Sequence, residues 1–125
     1  MKVYRIEHKW NPFCGPYNGH HRDEYACTHH IDKGEGAGFE DQPLPYDVGL
    51  TNMDLDEDLH FGFPSLRALK RWFDHCVREQ LHDCRFIIKV FDISDSVVQI
   101  ANDGSQCIFY RKENRATTTL SLLEV

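Results

Sequence analysis

Residues 11–60 separate a strand that opens the chain from a helix near residue 65, and they have neither the 3.6-residue period of a helix nor the alternation of a strand. A structureless connection of that length is uncommon in a compact domain. Where one occurs it is usually functional, or it is held by something other than periodic packing, such as a metal or a partner. Five of the eight histidines and two of the five cysteines lie within it. Gly34, Gly36 and Gly38 loosen its centre, and Pro43 and Pro45 forbid a helix across them. From Gly34 to Leu66 there is no Lys or Arg, but there are eight carboxylates: Glu35, Glu40, Asp41, Asp47, Asp54, Asp56, Glu57 and Asp58.

The flanking sequence is regular. Val3 to Lys9 alternates, with Val3, Arg5, Glu7 and Lys9 on one side and Tyr4, Ile6 and His8 on the other, as in a half-buried strand. Pro12, Gly15, Pro16 and Gly19 end it. Pro64 and Ser65 open one helix, Ser65 as N-cap. Leu66, Leu69, Phe73, Cys76, Val77 and Leu81 form its core stripe, and Arg67, Lys70, Arg71 and Arg78 its basic face; it fades near Asp83. Phe86 to Ile93 reads as a central strand covered on both faces. Val97 to Ala101 and Gln106 to Arg111 flank Asn102-Asp103-Gly104-Ser105, a hairpin signal. Ala116 to Leu123 returns as a last strand. This order predicts an α+β fold: one main helix on a mostly antiparallel sheet of four to five strands, with the irregular excursion after the first strand.

At 125 residues the chain is expected to be a single domain, 1–125. The net charge of −6 argues against direct nucleic-acid binding or a membrane surface, both of which need a basic face. No apolar run reaches the ~18 residues of a membrane span. The opening reads as a strand and not an export signal, so the expected compartment is a reducing bacterial cytoplasm, with the cysteines as thiols or metal ligands.

Three constellations carry chemistry. Cys14, His20, Cys27 and His30 have the donor types for a tetrahedral zinc, which would organise a segment without periodicity. The spacing matches no standard zinc motif, and zinc is the only cofactor these residues imply. Asp54, Asp56 and Asp58 resemble the start of a calcium loop, but Leu59 stands where that loop needs Gly and Ser65 where it needs Glu, so an EF-hand is rejected. They read instead as an acidic surface. With Tyr17, Tyr25, Phe39 and Tyr46 as aromatic anchors, such a surface suits a partner protein with a basic face. Arg5 and His8 on the first strand, with Tyr17 beyond the Gly15-Pro16 turn, are similar to the early strand of ADP-ribosyltransferases. That resemblance implies an NAD-using enzyme with a late Glu, here Glu79 or Glu113. Cys76, on the core stripe, is expected to be inert.

The stretches Val3-Tyr4-Arg5-Ile6-Glu7-His8, Gly15-Pro16-Tyr17, Phe61-Gly62-Phe63-Pro64-Ser65-Leu66 and Leu69-Lys70-Arg71-Trp72-Phe73 resemble small phage-encoded accessory proteins. The likeness covers the start of the chain and the helix. It implies a protein made during infection that binds and inhibits a host defence protein by occupying its surface, as anti-CRISPR proteins do. A homodimer is a further expectation, because edge strands of a small sheet invite pairing.

Overall fold

The computed structural model describes residues 1–10, 15–16, 49–50 and 59–125. It is α+β. The elements are β1 (Lys2–His8), β2 (Leu59–Gly62), α1 (Leu66–Trp72), α2 (His75–Asp83), β3 (Phe86–Asp92), a 3-10 turn (Asp95–Val97), β4 (Gln99–Ile100), β5 (Cys107–Tyr110) and β6 (Thr118–Leu120). The strands form two antiparallel three-stranded sheets, ordered β1-β3-β6 and β2-β5-β4. A single bridge joins them. Phe63, one residue beyond β2, exchanges both backbone hydrogen bonds with Tyr4 of β1, at 2.9 and 2.7 Å. The two sheets are therefore one curved sheet, in the order β6-β3-β1-β2-β5-β4, folded over at Gly62 and Phe63.

The fold line requires a glycine. A Cβ on Gly62 would lie 2.7 Å from Val3 Cγ1 and 2.9 Å from Phe109 Cε1. The concave side holds Val3, Phe91, Ile93, Cys107 and Phe109, all buried. On the convex side of β1 and β3, Ile6, Phe86, Ile88 and Val90 pack against Leu69, Trp72, Phe73, Val77 and Leu81 of the helical segment. Leu50, Ala101 and Ile108 make a third cluster on the outer face of β2-β5-β4.

Two expectations are corrected here. The first strand is covered on both faces, because the sheet doubles back over the side carrying Val3, Arg5 and Glu7. The expected single helix is two. Ser65 caps α1 as read, its hydroxyl accepting from Ala68 N at 3.1 Å. Phe73 then turns extended, and Asp74 caps a second helix by accepting from Val77 N at 2.9 Å. An Asp side chain offers this bond to backbone that has left the helix, so it starts a new helix more readily than it continues an old one. The break rotates the stripe. Cys76 is exposed, and Arg78 is buried. Arg78 Nη1 donates to the carbonyl of Phe73 at 2.7 Å, and to that of Lys70 at 3.4 Å, closing the end of α1.

The hairpin forms as expected. Ala101 N donates to Gln106 O at 2.9 Å, and Gly104 takes the left-handed conformation, φ 72°, that the turn demands. The last strand is shorter than expected, reaching only Thr118–Leu120.

Candidate functional site

Alternation along the strands places the functional side chains. Residues two apart share a face, so Arg5 and Glu7 of β1 point with Val3 into the concave side. Opposite them, Phe109 and then Arg111, just past β5, point the same way. Lys89 of β3 pairs in register with Arg5. His60 of β2 pairs with Phe109 and joins them. The fold thus divides its concave layer into an apolar end and a charged end.

At the charged end three cations converge on one carboxylate. Glu7 is fully buried. Arg5 Nε donates to its Oε2 at 2.8 Å, and Arg5 Nη1 donates to the Phe61 carbonyl at 2.7 Å. Arg111 grips both carboxylate oxygens, Nε to Oε2 at 2.6 Å and Nη2 to Oε1 at 3.0 Å. Lys89 Nζ lies 3.1 Å from Oε1. Arg111 also stacks on the Phe91 ring, 4.7 Å from its centroid, which joins the charged end to the apolar one. Burial alone would raise the Glu7 pKa, but the hydrogen bonds from Arg111 and Lys89 and the charges of Arg5 and Arg111 outweigh it and bring it down to about 2. His60 is pushed down to about 4, first by burial and then by Arg5, Arg111 and Lys112 against the opposing pull of Glu7. Its buried Nε2 has no hydrogen-bond partner among the described residues.

His8 lies on the other face of β1, so the pleat of the strand separates it from Arg5. Its ring meets Phe86 edge to face at 5.4 Å and Trp10 at 6.0 Å, and its Nδ1 accepts from the Trp10 backbone N–H at 3.2 Å. Trp10 is 65 % exposed and carries the Arg85 guanidinium over its ring, 5.4 Å from the centroid. Sequence reasoning passed over this corner. The one sequence signal for it is a Trp directly after a strand and two residues before Pro12.

The remaining predicted site residues lie outside the described residues: Tyr17, Tyr25, Phe39, Tyr46, Asp54, Asp56 and Asp58 of the binding surface, and Cys14, His20, Cys27 and His30 of the zinc set. Among the described residues, no group of three His, Cys, Asp or Glu side chains could hold a metal, and no helix is long and apolar enough to cross a membrane. Of the late glutamates, Glu79 pairs with His75 at 2.6 Å on the exposed face of α2, and Glu113 is exposed. Cys107 is fully buried, and burial pushes its thiol up to about 12, away from the thiolate that a nucleophile needs.

The architecture is that of a small α+β protein in which, among the described residues, the elaborate polar constellation is internal and an aromatic corner lies at the surface. The profile of the bacteriophage T4 Y00F protein family matches residues 1–123, and the chain belongs to that family. The phage setting read from the opening strand and the helix holds at the level of the family. No curated protein and no solved structure matches the chain.

Proposed function

We propose that this phage protein is a binding protein that inhibits a host protein by occupying its surface, with the irregular stretch after β1 as the contacting element. The observation that carries this reading is that the body holds this stretch partway along, at Gly49 and Leu50, just before Asp54, Asp56 and Asp58. Gly15 and Pro16 are buried where it departs. Leu50 is 2 % exposed in a cluster with Ala101 and Ile108, and Gln99 Nε2 donates to the Gly49 carbonyl at 3.1 Å. Loops carried on a packed scaffold are where proteins commonly place their recognition surfaces. Its carboxylates, Asp54, Asp56 and Asp58 among them, favour a partner with a basic face, and Tyr17, Tyr25, Phe39 and Tyr46 supply aromatic anchors. The binding reading is preferred to an NAD-using transferase because the Arg5 guanidinium already serves Glu7 and the Phe61 carbonyl.

The test is capture of host proteins on the purified chain, followed by binding and inhibition assays on the partner with the charge-reversed variant Asp54→Lys/Asp56→Lys/Asp58→Lys. Binding should weaken and lose most of its salt dependence. Undiminished inhibition by the variant would remove the acidic surface from the contact.

A further inference from the structure

We propose that Lys9, Trp10 and Arg85 form an anchor for an acidic segment of the partner protein, the indole taking an apolar side chain and the two cations its neighbouring carboxylates. This inference rests on the binding reading above and deepens it. Three independent observations carry it.

The first is exposure. Trp10 is the most exposed large hydrophobic side chain among the described residues, at 65 %, ahead of Val97 at 54 %, Leu123 at 52 % and Ile100 at 43 %. The other tryptophan, Trp72, is in the core. An indole in water forfeits the favourable burial of the largest apolar side chain, and tryptophan is the residue type most enriched at the energetic centres of protein interfaces.

The second is preorganisation. The indole is held from two sides, by the His8 ring at 6.0 Å and by the Arg85 guanidinium at 5.4 Å. Its backbone N–H is fixed to His8 Nδ1, and the preceding Lys9 N–H donates to the Arg85 carbonyl at 2.7 Å. A side chain already held in place loses little freedom when a partner covers it.

The third is the identity of residue 85. It follows the end of α2 in the left-handed conformation, φ 73°, and is the only non-glycine described residue with positive φ. Glycine takes that conformation without strain at a helix C-terminus, and arginine does not. What the arginine adds is its guanidinium over Trp10. Strained backbone of this kind concentrates at working sites.

Charge selects the partner. Neither Lys9 nor Arg85 makes an ion pair among the described residues, and both are exposed. In a chain of net charge −6 the corner has the opposite sign to the whole, so it complements carboxylates. A partner that meets the acidic stretch with basic residues and this corner with acidic ones is fixed in orientation as well as position.

The experiment places a photo-crosslinking amino acid at position 10, and separately at 97, 123, 25 and 46, in the full chain made in host cells. The purified partner is then titrated with wild type, Trp10→Ala, Arg85→Gly and Lys9→Glu. The expected result is a cross-link from position 10 into a carboxylate-bearing segment, with binding about thirty-fold weaker for Trp10→Ala and about ten-fold weaker for Arg85→Gly. Arg85→Gly relieves the backbone, so its loss of binding cannot come from misfolding. Capture of a partner through other positions only, with Trp10→Ala binding within about three-fold of wild type, overturns the anchor and leaves the binding reading intact. A cross-linked dimer of the chain itself through position 10 also overturns it. No partner from any position removes both.

Discussion

Replacing Glu7 by Gln removes the charge on which Arg5, Lys89 and Arg111 converge while keeping the shape of the side chain. Glu7 is fully buried and Arg5 and Arg111 are buried with it, so the two guanidiniums cannot turn to water without opening the sheet, whereas Lys89 is partly exposed. Breaking a buried ion pair by removing one partner typically costs about 3–5 kcal/mol, because the charges left behind stay desolvated. The proton equilibrium gives an independent figure. Glu7 moves from 4.5 to about 2 on folding, which corresponds to about 3 kcal/mol of stability. A depressed carboxylate stabilises the folded state above its unfolded pKa and ceases to do so as pH falls through its folded one. The contribution is therefore complete above about pH 5, shrinks below 4.5 and is gone near 2. Urea denaturation of wild type and Glu7→Gln at pH 7, 5, 4 and 3 measures both. The unfolding free energies should differ by about 3 kcal/mol at pH 7, against the ~5–15 kcal/mol total of an ordinary domain, and the difference should close in acid. A gap below about 1 kcal/mol at pH 7, or one independent of pH, would refute the view that this network holds the curved sheet together.

His60 titrates in another window. Its depressed pKa means that the unfolded chain takes up a proton first, so folding loses stability as pH falls from 6.5 towards 4; His60→Phe should flatten denaturation curves over that interval only. Gly62→Val places side-chain atoms against Val3 and Phe109 and should cost about 1–3 kcal/mol in Tm or urea midpoint, whereas Gly104, with nothing near its missing Cβ, is limited only by its φ. Asp74→Ala removes the cap that starts α2 and should cost about 1 kcal/mol, while Asp74→Asn retains most of it. Arg85→Gly should raise stability by about 0.5–1 kcal/mol, since it replaces a strained arginine by the residue that prefers its backbone.

What the sequence made legible were features decided within a few residues. Ser65 caps because its hydroxyl reaches the backbone three residues on, and Asn102–Ser105 turns because Gly104 accepts a positive φ. Phe86 to Asp92 is apolar on both faces whichever way the sheet curves. The errors arose where a distant residue decides. The first strand reads as half-buried because nothing near Arg5 and Glu7 in sequence announces Arg111 or a sheet that folds back at Gly62. Cys76 is the local exception: it falls on the core stripe only of a continuous helix, and Asp74, two residues before it, caps a second helix instead. The Trp10 corner depends on Arg85, far along the chain. The zinc set and the acidic surface lie outside the described residues.

The register of β1 has a consequence during synthesis. Lys2 pairs with Asp92 and His8 with Phe86, so β1 must wait until β3 has been made before it can pair along its length. At ~5–20 residues per second that interval is several seconds, in which an unpaired strand can stick to others. Arg5 and Glu7, with Lys2 and Lys9 at its ends, make it a poor template for aggregation, as charged gatekeepers do in strands of this kind. The charges that close the interior of the finished protein also protect the nascent one, and an apolar replacement of that network would trade one service for the other.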